Sequence, residues 1–306
     1  MKTTYSRRQF LAASATPLIA AAVAPLAGQA AQVMGRSQGL VGSQLYGWGQ
    51  YYSREGKNMN DHLGEVLSAL RDAGYHYAEG TIDTQRPEEN VRFAQQLKAK
   101  GLRAISLYSG GRLHEDAAAQ RAVESIVLAA AVCKEAGFSI INCNPDPIGR
   151  DKTEAELKRQ ADSLALLGRE LSKLGMKLGI HNHTPEMRNE GREFHYNLRR
   201  TPAKDVGFCY DVHWVFRGGL KPEPVLKEYG GRIVSWHLRQ SRDGAWWEDL
   251  DEGEVDYPAI AKTAKARGLA AFYTVELALE EGTKITRNAV QNHKRSRDYI
   301  GRVFGC

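Results

Sequence analysis

Leu174-Gly175-Met176-Lys177-Leu178-Gly179-Ile180-His181 is the stretch on which the fold turns. A helical segment stops at a glycine, an apolar run begins at once, and that run ends on an imidazole. Glycine accepts the left-handed conformation that closes a helix, so Gly175 reads as a helix-to-strand switch. The same switch recurs at Gly74, Gly101, Gly137 and Gly268. Working outward from it, the predicted strands are Gln44–Trp48, His76–Glu79, Arg103–Leu107, Ser139–Cys143, Lys177–His181, Val206–Tyr210, Ile233–Leu238 and Phe272–Val275. Predicted helices include Asp61–Asp72, Glu88–Lys100, Ala117–Ala136, Glu154–Leu174 and Tyr257–Arg267, with Asn60, Pro87 and Asp256 as start signals. No hairpin signal separates neighbouring strands, and strand and helix alternate throughout, which predicts a parallel sheet with right-handed crossovers. About 275 residues is the usual size of an eight-fold barrel, so the expected fold class is α/β, a single (β/α)8 TIM barrel over residues 31–306. A doubly wound open sheet is the competing architecture, but no GxGxxG or phosphate loop follows the first strand.

Four of these runs end on metal-liganding side chains: LGIH at His181, VGFCYD at Asp211, RIVSWH at His237 and FYTVE at Glu276. In a closed barrel, the carboxyl ends of the strands converge on one face, so two imidazoles and two carboxylates would meet there. Such a mixed set suits one divalent ion, manganese, zinc or cobalt rather than calcium. Period-two alternation puts His183 on the same face as His181, and two inward histidines are poor core filling. Other strand ends are polar or aromatic. Tyr46, Trp48, Glu79, Tyr108, Asn142 and Asn144 are candidate substrate-binding residues for a polyhydroxylated ligand, with loop capping as the plain alternative for each.

The amino terminus carries a different signal. Lys2, Arg7 and Arg8 precede an apolar, alanine-rich stretch from Phe10 to Ala27, and Ser6-Arg7-Arg8-Gln9-Phe10-Leu11 has the paired arginines of twin-arginine export. Residues 1–30 are therefore expected to be a removed signal peptide and the protein periplasmic. Pro17 and Pro25 interrupt a stretch already short for a bilayer span, which argues against a stable membrane anchor. Formal charge falls from +6 to +3 without the three basic residues of that segment. No basic block interleaved with aromatics remains, so nucleic acid is not an expected partner. Cys133, Cys143, Cys209 and Cys306 lack CxxC spacing and read as free thiols. Nothing fixes the oligomeric state; a homodimer is the working expectation.

Several strings together, LGIHNHTPE, YDVHWVFRGG, GRIVSWHLRQ, LDEGEVDYPAI and YTVEL, make the chain resemble the xylose-isomerase-like TIM barrel superfamily, in its sugar phosphate isomerase/epimerase family. The resemblance covers nearly all of the chain beyond the export signal. It implies one divalent ion, commonly manganese, zinc, cobalt or magnesium, held by Asp211, His237 and Glu276. His181 is taken as the fourth metal ligand, His183 as a catalytic base, and Glu186 as orienter or alternate ligand. In the ketose epimerases of this superfamily a glutamate stands where His181 stands, paired with the eighth-strand carboxylate as acid and base. That departure puts symmetric two-carboxylate epimerisation in doubt. Arg239 replaces a lysine common in relatives and suits a planar contact to substrate oxygens.

The expectation is an exported metal-dependent carbohydrate isomerase or epimerase that abstracts a proton beside a sugar carbonyl, with Glu276 and His183 moving the proton and the ion holding the enediolate. A 3-keto-glycoside lyase or hydrolase shares the same steps up to that point. Two further readings are a non-catalytic sugar-binding protein and a phosphodiesterase of the endonuclease IV type, whose trinuclear site needs more ligands on early strands than this chain offers. Trp246 and Trp247 follow the seventh strand as a lid or a partner-facing patch.

Overall fold

The computed structural model describes residues 39–306; the expected export signal lies outside the described residues. Along the chain run β1 (Leu40–Gln44), α1 (Leu45–Arg54), α2 (Leu63–Asp72), β2 (Tyr77–Thr81), α3 (Pro87–Ala99), β3 (Ser106–Gly111), α4 (Asp116–Glu135) and β4 (Ile140–Pro145). There follow α5 (Glu154–Lys173), β5 (Lys177–Ile180), α6 (Thr184–Arg200), β6 (Val206–Asp211), α7 (Val212–Arg217), α8 (Pro222–Tyr229) and β7 (Ile233–Leu238). The short strands β8 (Ser241–Arg242) and β9 (Ala245–Trp246), then α9 (Tyr257–Ala266), β10 (Phe272–Val275) and α10 (Ala289–Phe304), complete the order. Eight strands close in the order β1-β10-β7-β6-β5-β4-β3-β2, every pairing parallel, while β8 and β9 form a separate antiparallel hairpin. This is the (β/α)8 barrel expected from the alternation. All five switch glycines have positive φ, from 61° at Gly268 to 108° at Gly137.

Two predicted strands are displaced. The first runs Leu40–Gln44 rather than Gln44–Trp48, because the Gln44 side chain accepts from the Tyr46 amide and caps a helix there. The third runs Ser106–Gly111 rather than Arg103–Leu107; Gly110 and Gly111 continue the ladder opposite Asn144 and Pro145, and Arg103 makes only an isolated bridge to Tyr77. Both shifts move the carboxyl end of the strand, which is the end that matters for the site.

Strands buried on both faces read as continuous apolar runs, and the helices supply the outer wall. Helix α5 buries Leu157, Leu164, Leu167 and Leu171 completely. Inside the barrel, Tyr77, Ile105 and Ile140, packed with Leu40, Val234 and Phe272, form an apolar plug at the strand starts. Gly42 makes room for this plug, since a Cβ there would lie 2.1 Å from the Tyr77 ring. Above the plug sits a fully buried polar layer of Glu79, Asn142, Ser235 and Thr274. The four cysteines are free, and three of them are buried. Among the described residues no helix is long and apolar enough to cross a membrane.

Candidate metal centre

His181, Asp211, His237 and Glu276 converge at the carboxyl end of four consecutive strands, β5, β6, β7 and β10. Their ligand atoms all lie within 4.8 Å of one another, and all four side chains are buried. Each is placed by its own strand end. His181 follows β5, its amide bonded to the Cys143 carbonyl at 2.9 Å. Asp211 ends β6 and caps α7, accepting the Trp214 amide on Oδ1 at 2.7 Å. That leaves Oδ2 to face His181 Nε2 at 3.3 Å.

The two histidines are oriented from behind. Asn144 Oδ1 lies 3.4 Å from His181 Nδ1, and Glu79 Oε1 lies 2.8 Å from His237 Nε2. The opposite nitrogen of each ring faces a carboxylate of the cluster: His181 Nε2 meets Asp211, and His237 Nδ1 meets Glu276 Oε2 at 2.9 Å. Fixing the outer nitrogen of a ligating histidine is how proteins set its tautomer and angle toward a metal. His181 Nε2 and His237 Nε2 are both buried with no aligned hydrogen bond, their carboxylate neighbours Asp211 and Glu79 making ion-pair contacts only, and for His181 Nε2, which faces the cluster, this is costly unless something else fills the role. A divalent cation fits this donor set of two imidazoles and two carboxylates.

Electrostatics in the cluster follow from burial and Arg239. Burial pushes Asp211 up to about 6, against the pull of Arg239. Burial would raise Glu276 as well, but Arg239 and His237 outweigh it and hold the carboxyl below its ordinary range. Burial, reinforced by neighbouring histidines, brings His181 and His183 down to about 3, so both rings are neutral near pH 7.

A cavity of about 1340 Å³ opens above the cluster and is lined by His181, His183, Glu276, Tyr108, Trp214, Arg239 and Trp246 among others. Arg239 is almost fully buried, with its guanidinium 3.9 Å from the Trp246 ring and 5.0 Å from that of Trp214. Its Nη1 and Nη2 have no hydrogen-bond partner, and Nη1 stands 3.6 Å from Glu276 Oε1. Its Nε donates to His213 Nδ1 at 3.2 Å, which leaves the other His213 nitrogen to donate to Ser241 Oγ at 2.7 Å. His213 and Trp214, which set this arginine, lie within the YDVHWVFRGG string but on α7 just past the end of β6, so the polarity of strand ends does not reveal them.

Trp246 is a wall of the cavity rather than a free lid. Its amide donates to Glu280 Oε1 at 2.7 Å, and the segment that follows is tied down by Glu248 and Asp249. Glu248 accepts the Thr286 and Arg287 amides and the Asn292 side chain, while Asp249 accepts from Arg287 and Arg295. Trp247 lies against Arg242, 4.5 Å away.

The remaining predicted site residues divide. Tyr46, Tyr108, His183 and Arg239 line the cavity. Trp48 does not: it sits on α1, buried, stacked on His293 at 4.2 Å with its Nε1 bonded to Ser43. Asn142 lies beneath the site, donating to Glu79 at 2.7 Å and accepting from Ser235. Asn144, expected at the mouth, instead faces His181, whereas Glu79 does reach the cavity floor while its Oε1 lies against His237. Glu186 is buried and caps α6, its Oε2 accepting the His183 amide at 2.6 Å; it is not one of the four clustered ligands, and its Oε1 has no hydrogen-bond partner. Asn142, Asn144 and Glu186 are engaged by contacts within the fold.

A family model, the Xylose isomerase-like TIM barrel, matches residues 67–300. The chain belongs to this family. Inosose dehydratase of Geobacillus kaustophilus (strain HTA426) is 24% identical over 245 residues, covering 75% of this chain and 74% of that protein. The crystal structure of a sugar phosphate isomerase/epimerase from Parabacteroides distasonis ATCC 8503 superposes with a TM-score of 0.70 at 20% identity, covering 88% of this chain and 95% of the other. The IOLI protein with a binding zinc atom superposes with a TM-score of 0.67 at 18% identity, covering 87% of this chain and 100% of that one.

Proposed function

We propose that the chain is a divalent-metal-dependent carbohydrate isomerase or epimerase, exported to the periplasm by the twin-arginine route, that works by proton abstraction beside a sugar carbonyl. The observation that carries this reading is the buried His181, Asp211, His237 and Glu276 cluster at the floor of an aromatic-lined cavity. A divalent ion held there would polarise a substrate carbonyl. The Arg239 guanidinium, with Nη1 and Nη2 unpaired by protein, donates to substrate oxygens, and Trp214 and Trp246 hold its plane. Glu276 stays ionised and His183 stays neutral, so both can accept a proton. Moving a proton off one face of a carbon and back to the other takes two such groups, and these two reach the cavity. Zinc in the IOLI structure and the isomerase/epimerase fold neighbour support the reading.

A second reading is elimination from a 3-keto-glycoside by the same proton abstraction. It is favoured by His181 where ketose epimerases have a glutamate, and by a relative that is a dehydratase, an enzyme that expels a leaving group. The metal-reconstituted protein incubated in D2O with free sugars and with 3-keto-glycosides separates the readings. Deuterium beside the carbonyl of a recovered isomer or epimer supports the first. Aglycone release without any isomer overturns it in favour of the second. Absence of both, with and without ion, overturns the enzyme reading altogether.

A further inference from the structure

The candidate ligands occupy only one half of the barrel mouth, the half built by β5, β6, β7 and β10. The cavity does not stop there. It continues over β1 and β2 between two helix faces, one on α1 and one on α3. Tyr46, Gly49, Gln50 and Ser53 share the α1 face at i, i+3, i+4 and i+7, and Phe93 and Gln96 line it from α3. Tyr46 is 58% exposed, the one large exposed apolar side chain among the described residues that lines this cavity. A Cβ on Gly49 would meet nothing within 4 Å, so the α1 face is open at its centre. Met59 and Leu63 continue the apolar lining.

The volume makes the same point. About 1340 Å³ exceeds the roughly 300–1,000 Å³ typical of sites that enclose a single drug-sized ligand, and one pyranose ring is smaller than such a ligand. Aromatic and aliphatic groups beside the Gln96 amide, with Arg54, Asp83, Glu89 and Arg92 also on the lining, suit a ring that has an apolar face and a hydroxylated rim.

We infer that the reacting sugar enters as part of a glycoside, and that this lobe between α1 and α3 is the subsite for the second ring, stacked on Tyr46. The inference rests on the proposed carbohydrate chemistry at the metal end but concerns a different part of the cavity. The second ring is a sugar or a phenolic group; the lobe offers both the same contact.

Two variants test it. Gly49→Phe fills the lobe from a helical position whose φ is not in the positive region, and Tyr46→Ala removes the stacking ring from an exposed site. The probes are phenyl 3-keto-glucoside, a 3-keto-disaccharide and free 3-keto-glucose, read as kcat/KM for each and as binding by tryptophan fluorescence. The wild type is expected to prefer both two-ring probes over the free sugar. Gly49→Phe should lower that preference at least tenfold and Tyr46→Ala about tenfold, through KM. A preference for one two-ring probe identifies the second ring as phenolic or sugar. An equal response of all three probes, or preference untouched by both variants, overturns the inference. If no probe is turned over, the reaction reading fails, and the fluorescence affinities still decide the subsite by the same ratio.

Discussion

Glu79 is fully buried at the centre of the barrel, and Glu79→Gln is the substitution whose outcome the structure specifies most fully. Its Oε2 accepts from Ser106 Oγ at 2.6 Å and Asn142 Nδ2 at 2.7 Å, and its Oε1 lies 2.8 Å from His237 Nε2. Glutamine keeps the volume but has only one oxygen. Its amide nitrogen must face either the Ser106 and Asn142 donors, which then lose their acceptor, or the histidine, which then loses its carboxylate partner. An unsatisfied buried donor costs about 1–3 kcal/mol, which for a domain of this size lowers Tm by roughly 4–8 °C at the middle of that range. Loss of the group that orients a metal-ligating histidine weakens the ion by roughly 10–100-fold, or about 1.4–2.7 kcal/mol. Chelator competition measures the ion affinity, and thermal unfolding in EDTA measures the fold without it. Ser106→Ala, which removes one donor and leaves His237 supported, should show a smaller Tm loss and near-native affinity. An ion affinity unchanged in Glu79→Gln while Tm falls would refute the idea that Glu79 orients His237.

Glu276→Gln should lower kcat by roughly 10²–10⁴-fold while far-ultraviolet circular dichroism stays native, and undiminished turnover removes Glu276 from the chemistry. His183→Ala should retain the ion and slow the reaction roughly 10²-fold; loss of bound metal by elemental analysis would make His183 a ligand instead. Burial pushes Glu186 up to about 7, so the folded state keeps a proton that an unfolded carboxyl gives up above about 4.5. Its effect is therefore absent at low pH and becomes a growing destabilisation as pH rises from about 4.5 to 7. Glu186→Gln should leave Tm at pH 4 unchanged and raise stability at pH 8 by up to about 3 kcal/mol, and an equal effect at both pH values would contradict the buried-carboxyl account.

The barrel was legible because its signals are local and repeated. A glycine that must adopt positive φ leaves its mark at every helix-to-strand switch, and a parallel strand buried on both faces has no alternative reading as a solvated element. The four cluster residues were legible for the same reason, each being the polar end of an apolar run. Where the reading failed, the decision was made by hydrogen bonding between distant elements. Gln44 looks like a strand start until its side chain is seen capping α1, and that cap turns Trp48 from the mouth toward His293. Asn142 carries the right chemistry for substrate, but its partner Ser235 is supplied by β7, over 90 residues further along. Glu186 at helix position N3 is as good a capping residue as a ligand, and the amide of His183 took it.

The tether from Glu248 and Asp249 to Arg287, Asn292 and Arg295 has a consequence for the order in which the molecule is made. The wall that carries Trp246 is fixed by residues that leave the ribosome roughly forty positions later. β1, which opens the barrel, must likewise wait for β10 before it has a neighbour on its second edge. A growing chain can therefore lay down most of its strands while the cavity still lacks one side. The cavity is complete only once α10 has been synthesised and docked, so a ligand that needs the Trp246 wall cannot be held before α10 is in place.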